Sequence, residues 1–226
     1  MKKRFFVTGI DTDVGKTYVT VGLLEAAKRA GLKSFGLKPI AAGADRVEGS
    51  LRNDDALRIQ KASSVSLPYE QVNPVVLEEP IAPHIAAMRE GRLVTASRLE
   101  GFIKGALLTS HELVLVEGAG GWRVPLNDRE WLSDVAKLLG FPVILVVNMK
   151  LGCLNHAILT AEAITRDGLT LAGWIANNSM SERMPCYEEN LASLASMLPA
   201  PLLGALSWCQ EEGESQQEFD AILSAL

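Results

Sequence analysis

The sequence predicts an α/β fold, a mostly parallel sheet with helices on both faces. Three observations carry this. Short apolar runs alternate with helix-length stretches along the whole chain. The runs Leu113-Val114-Leu115-Val116 and Pro142-Val143-Ile144-Leu145-Val146-Val147 are continuously apolar, as strands covered on both faces are. Near the start, the run Phe5-Phe6-Val7-Thr8 leads through a glycine-bounded loop, Gly9-Ile10-Asp11-Thr12-Asp13-Val14-Gly15, into Lys16-Thr17 and a helix-like stretch.

Taken in order, residues 4–8 read as a buried strand and 16–30 as a helix closed by Gly31. Lys33–Lys38 is a second strand, ended by Pro39, and residues 40–53 read as a loop rich in Ala, Gly and charge. Asn53 caps a helix over Asp54–Ala62. Residues 63–84 contain Pro68, Pro74, Pro80 and Pro83 and are expected to be irregular. A helix over 95–109 precedes the strand 113–116, which runs into Glu117-Gly118-Ala119-Gly120-Gly121. A helix over 131–139, the strand 142–147, a helix over 153–166, a strand over 169–176, a helix over 184–198 and a short strand over 202–206 follow. No repeat, low-complexity tract or linker interrupts the pattern, so the 226 residues are expected to form one domain.

Composition narrows the function classes. The formal net charge of −5 implies no basic surface for nucleic acid. The basic start, Met1-Lys2-Lys3-Arg4, is followed by too short an apolar run for a signal peptide, and no apolar stretch reaches membrane-spanning length. Cys153, Cys186 and Cys209 form neither a zinc spacing nor an even disulfide set. A reducing, cytoplasmic setting is expected.

In parallel sheets ligands bind beyond the carboxyl ends of the strands, and the chemically informative residues lie there. Loop and first-turn N–H groups, with the helix dipole, make a phosphate cradle. Lys16 would place its ammonium on the β- and γ-phosphates, and the Thr17 hydroxyl would face Mg²⁺. Lys38 follows the second strand, so two lysines converge on one phosphate edge. Glu117 ends its strand where a carboxylate reaches Mg²⁺, and the glycines after it let backbone approach a ligand. Asp55 reads equally as a first-turn helix acid and as a ligand. Asn177, with Asn178, ends the strand 169–176, where an amide can read a base edge; adenine fits better than guanine because the Asn-Lys-x-Asp signature is missing. Gly152-Cys153-Leu154-Asn155 opens a helix and offers N–H groups to another anion, such as a carboxylate. The histidines and tryptophans read as structural.

Together these segments resemble the dethiobiotin synthetase family. The resemblance is carried by Thr8–Thr17, Lys38-Pro39-Ile40-Ala41-Ala42-Gly43, Leu51–Leu57, Val116–Gly121, Lys150–Ala157 and Leu171–Asn177. Five residues separate Gly9 from Gly15, one more than in a standard phosphate loop, and this spacing fits the family. The resemblance implies a P-loop NTPase-like fold and an ATP- and Mg²⁺-dependent ring closure of 7,8-diaminononanoate with carbon dioxide. It implies that Asp13, Val14, Gly15, Lys16, Thr17 and Tyr18, with Gly118, Ala119 and Gly120, bind ATP. Thr17, Asp55 and Glu117 would hold the metal. Lys16 and Lys38 would stabilise the carbamate and the transferred phosphoryl, and Thr12 would position substrate. Asn177 and the backbone around Ser207, Trp208 and Cys209 would hold adenine, and Glu214 the ribose. Gly152, Cys153, Asn155 and Tyr187 would hold the substrate carboxylate from the partner subunit of a homodimer.

Two positions depart from the family pattern. Ala42 stands where Ser is frequent, which removes a hydroxyl near the substrate, and Ser207 stands where Pro is frequent. The competing reading is a regulatory P-loop ATPase of the partitioning type. Those proteins usually carry a second lysine inside the loop, where this chain has Asp11, and often end in a basic amphipathic helix, where Glu211–Leu226 is acidic.

Overall fold

The computed structural model describes residues 2–208 and 215–226. It consists of β1 (Lys3–Gly9), α1 (Lys16–Arg29), β2 (Ser34–Leu37), β3 (Ile40–Ala42), β4 (Asp45–Val47), β5 (Ser50–Arg52), α2 (Asp54–Ala62), α3 (Tyr69–Val72), β6 (Val75–Leu77), α4 (Pro83–Arg89), α5 (Ala96–Ala106), β7 (Leu113–Glu117), α6 (Leu132–Leu139), β8 (Val143–Asn148), α7 (Cys153–Arg166), β9 (Leu171–Asn177), α8 (Tyr187–Met197), β10 (Leu202–Leu206) and α9 (Gln216–Ala225). Six strands form one sheet in the order β10-β9-β8-β1-β7-β2, every pair parallel. β7 and β8 are buried along their whole length, which explains their unbroken apolar sequence. The connections run from β1 out to β2 and back to β7, then cross to β8 on the other side. The phosphate loop therefore leaves the sheet where the strand order reverses, the place at which such sheets bind ligands.

Two expectations are corrected. Residues 40–53 are not a plain loop. β3 pairs in parallel with β6, Ile40 opposite Val75, and β4 and β5 form a hairpin. Its two-residue turn, Glu48-Gly49, has φ of 50° and 82°, the double positive φ that matches strand twist. Three-residue strands give too little alternation to be read, and β3 depends on a partner more than thirty residues away. Residues 63–84 are likewise not simply irregular: they hold α3, β6 and the start of α4, with Pro83 in the first turn of α4, where its missing N–H costs nothing.

The terminal helix α9 was not anticipated beyond its acidic character. It buries Phe219 and Ile222. Gly22 on α1 makes room: a Cβ there would lie 2.2 Å from the Phe219 ring. Tyr18 meets that ring edge-on at 5.4 Å, the Tyr18 hydroxyl is 2.9 Å from Ser215 Oγ, and Arg29 pairs with Asp220 at 2.6 Å.

Candidate active site

The phosphate loop is shaped by close approaches that only glycine allows. A Cβ on Gly9 would sit 2.4 Å from Val14 Cγ2. Gly15 has φ of 92°, and a Cβ there would sit 2.1 Å from Asn177 Nδ2. Asn177, buried at the end of β9, donates from Nδ2 to the Val14 carbonyl at 2.9 Å. Part of the amide expected to read a base thus holds the loop itself. Lys16 Nζ donates to the Asp11 carbonyl at 2.8 Å. Burial pushes the Lys16 amine down to about 8; Glu117 opposes that shift and Lys38 adds to it.

At the carboxyl end of β2, the Lys38 ammonium lies between two carboxylates, 2.5 Å from Asp55 Oδ2 and 2.7 Å from Glu117 Oε1. Burial alone would lower its pKa, but Glu117 and Asp55 together outweigh burial and hold it above the usual lysine value. Asp55 is the mirror case: burial would raise it, and Lys38 wins and lowers it. The Thr17 hydroxyl donates to Glu117 Oε1 at 2.8 Å. Glu117 is fully buried, and its Oε2 has no partner among the described residues. A buried carboxylate oxygen without a donor is costly, so this oxygen suits a cation. Thr17, Asp55 and Glu117 present only hard oxygen donors, the set that Mg²⁺ prefers.

The capping expected of Asn53 is present, its Oδ1 accepting from the Ala56 N–H at 3.3 Å. These groups floor an open cleft of about 910 Å³. Thr12, Asp13, Gly15, Lys16, Thr17, Tyr18, Lys38, Ala42, Asp55, Ala119 and Gly120 all line it. Val14 and Gly118 lie in the same two loops, and Val14 is buried beneath the surface. Sequence reasoning missed Arg58, one turn after Asp55, and the wall made by Pro80-Ile81-Ala82-Pro83. It also missed Arg123, which lines the cleft while its guanidinium is gripped by both oxygens of Asp167 at 2.7 and 2.8 Å. Asp167 accepts from Trp122 Nε1 as well, at 2.8 Å, so the chain after the glycine turn is pinned to the end of α7.

Gly152, Cys153 and Asn155 lie at the start of α7 and Tyr187 at the start of α8; none of them lines the cleft. Gly152 takes φ of 97°, Cys153 is buried, and Arg183 covers the Tyr187 ring at 4.6 Å. Ser207 follows β10 and bonds the Glu218 carboxylate through its N–H at 3.2 Å and its hydroxyl at 2.9 Å, with the half-exposed Trp208 next to it. Cys209 and Glu214 lie outside the described residues.

The parallel sheet with its glycine-bounded loop, Lys16-Thr17 and an opposing strand-end carboxylate defines a P-loop NTPase-type fold. Solved structures agree on the fold: the cell-division ATPase MinD of Pyrococcus furiosus matches with a TM-score of 0.61 at 17% identity, covering 100% of this chain and 98% of that one. The septum site-determining protein MinD of Pyrococcus horikoshii, complexed with Mg-ADP, matches with a TM-score of 0.58 at 16% identity, covering 97% and 94%. The sequence model of a family described as an AAA domain matches residues 3–215. Curated relatives are far nearer in sequence. The ATP-dependent dethiobiotin synthetase BioD of Cellvibrio japonicus is 58% identical over 91% of this chain and 89% of its own length. That of Marinobacter nauticus is 51% identical over 99% and 94%, and BioD 1 of Escherichia coli O157:H7 is 47% identical over 95% of each. The chain belongs to the ATP-dependent dethiobiotin synthetases, ligases of biotin biosynthesis. The likeness to MinD is one of fold, so the partitioning-type reading has no support beyond architecture. No helix among the described residues is long and apolar enough to cross a membrane.

Proposed function

We propose that the whole chain acts as one synthetase domain that closes the ureido ring of dethiobiotin. One amine of 7,8-diaminononanoate takes up carbon dioxide as a carbamate. The carbamate oxygen attacks the γ-phosphorus of ATP and ADP leaves. The second amine then attacks the carbonyl carbon of the carbamic-phosphoric anhydride, and phosphate leaves with the C–O bond.

The observation that carries this reading is the Lys38 ammonium, buried at the floor of the cleft and 2.5 to 2.7 Å from two carboxylates. Carbamate and ATP are both anions, so bringing them together costs Coulomb energy. Lys16 and Lys38, with the helix N-terminus at Gly15, offset it. No protein nucleophile is needed, and orientation of the two substrates supplies much of the rest. Thr12, on the cleft wall, orients the diamine. Thr17, Asp55 and Glu117 would hold Mg²⁺, which supplies charge neutralisation on the phosphate oxygens when bound. Asn177 and the backbone from Ser207 to Cys209 hold adenine, with Glu214 at the ribose.

The cleft within one chain does not include Gly152, Cys153, Asn155 or Tyr187. This supports a homodimer in which they serve the neighbouring centre. A cytoplasmic setting completes the reading. The experiment is ATP turnover with and without the diamine and bicarbonate. Diamine-dependent turnover with dethiobiotin as product supports it; rapid ATP hydrolysis indifferent to the diamine overturns it.

A further inference from the structure

Lys38 and Asp55 are seventeen residues apart in sequence, on different elements, yet their charged atoms meet at 2.5 Å. Three buried polar side chains join the two elements. Tyr69 accepts the Asn53 N–H on its hydroxyl at 2.8 Å and donates that hydroxyl to Asn73 Oδ1 at 2.9 Å. Asn73 Nδ2 then donates to the Lys38 carbonyl at 2.6 Å. Asn53 caps α2, the helix whose first turn carries Asp55, and its Nδ2 donates to the Gly43 carbonyl at 2.7 Å. The Lys38 N–H is itself taken by the Val72 carbonyl at 2.8 Å. Three stretches of the cleft are therefore tied to one hydroxyl: Lys38, the Ala41–Gly43 wall and the start of α2. Tyr69, Asn53 and Asn73 are all under 9% exposed.

We infer that Tyr69 is a positioning residue of the reaction: its hydroxyl, through Asn53 and Asn73, sets the Lys38 ammonium against Asp55. The inference rests on the proposed function for its consequence in turnover, but not for its geometry. A buried polar network contributes little net stability over an apolar filling, whereas fully satisfied it fixes one arrangement. Here the arrangement is that of two groups which the proposed function places at the transferred phosphoryl. Displacement of such groups by about 1 Å costs on the order of 10²-fold in rate. The Arg52 guanidinium lies 4.2 Å above the Tyr69 ring and keeps the ring in place, so a phenylalanine would keep the packing and lose only the hydroxyl.

The test uses Tyr69→Phe and Asn73→Asp, which loses the donor to Lys38 but keeps an acceptor for Tyr69. Val135→Ala, at a buried position that does not line the cleft, serves as a destabilised control. Two quantities are read: the acetylation rate of Lys38 in nucleotide-free protein, by mass spectrometry, and kcat against KM for ATP. Tyr69→Phe is expected to acetylate Lys38 several-fold faster. It should lose kcat by about 10–100-fold with KM for ATP within about twofold. The control should change neither. Unchanged Lys38 reactivity in folded Tyr69→Phe overturns the inference, as does an equal kcat loss in the control. Failure of the proposed function shows separately, as wild-type protein that makes no product, while acetylation still reports on the network.

Discussion

The Lys38 ammonium and the Glu117 carboxylate, at the ends of neighbouring strands, meet 2.7 Å apart inside the protein, and the other Glu117 oxygen has no partner among the described residues. Such a pair is poor as a stability device, because the desolvation of two charges offsets most of their attraction. It is well suited to a site that exchanges partners. The same carboxylate that steadies Lys38 has an oxygen left for a cation.

Removing the ammonium should therefore affect chemistry more than binding. Lys38→Ala is expected to lower single-turnover ring closure by about 10²–10³-fold, the usual effect of losing one preorganised charge. The ATP dissociation constant should change far less, because the phosphate loop and Lys16 remain. Near-normal ring closure in the mutant would remove Lys38 from the mechanism.

Glu117→Gln keeps the volume and strand pairing but removes the charge from the unbonded oxygen. Its fold should persist by circular dichroism, while half-maximal activity should need more Mg²⁺. A magnesium titration that overlays wild type would make Glu117 merely the end of a strand.

Lys16 gives a stability prediction with a definite sign. Its folded pKa, about 8, lies below the unfolded value of 10.5 because burial disfavours the charge. Below pH 8 it is charged in both states, and the folded protein bears the full penalty. Between 8 and 10.5 the unfolded chain binds more protons, so stability rises with pH. Lys16→Met is therefore expected to stabilise the nucleotide-free protein at pH 7, by about 1–3 kcal/mol at most. The advantage should shrink as pH rises past 8, while activity is lost. A lower Tm than wild type at pH 7 would contradict this.

How far the sequence carried the site follows from where its residues sit. Lys38, Glu117 and Asn177 stand at the ends of unmistakably apolar strands, and Lys16 opens the helix that follows another, so topology alone put them on one edge. Asp55 was legible through its capped helix, but its contact with Lys38 was not. That contact depends on α3 and on Tyr69, within a stretch whose prolines suggested disorderly backbone. The Pro80–Pro83 wall was hidden for the same reason: it depends on a three-residue strand pairing with another. α9 was missed because its docking rests on an absence, the side chain that Gly22 lacks.

Gly22 can be tested directly. In an exposed helix Gly→Ala stabilises by about 1 kcal/mol. Here the new methyl would meet the Phe219 ring, so Gly22→Ala should lower Tm instead and open α9 to hydrogen exchange. Gly22→Ala combined with Phe219→Ala should restore part of the helix gain, a non-additivity that only direct contact explains.

The last prediction concerns assembly. The proposed substrate carries two amines at one end and a carboxylate at the far end of an apolar chain. The amines must reach Lys38 and the phosphate loop, so the carboxylate needs an anion site some distance away. The start of α7 has the right character, since a helix N-terminus presents N–H groups without intrahelical acceptors. Tyr187 adds a hydroxyl. Neither lines the cleft of its own chain, and Leu151, just before Gly152, is 92% exposed, as a residue awaiting a neighbour would be. Mixing decides the matter. Lys38→Ala chains and chains altered at both Asn155 and Tyr187 should each be inactive alone. Co-assembled, every mixed dimer should contain one intact centre, because the two lesions fall on the same site and leave the other whole. Activity should then return to about half that of wild type per mixed dimer. If mixed dimers form and stay inactive, the centres are not shared between chains and the shared-site arrangement is wrong.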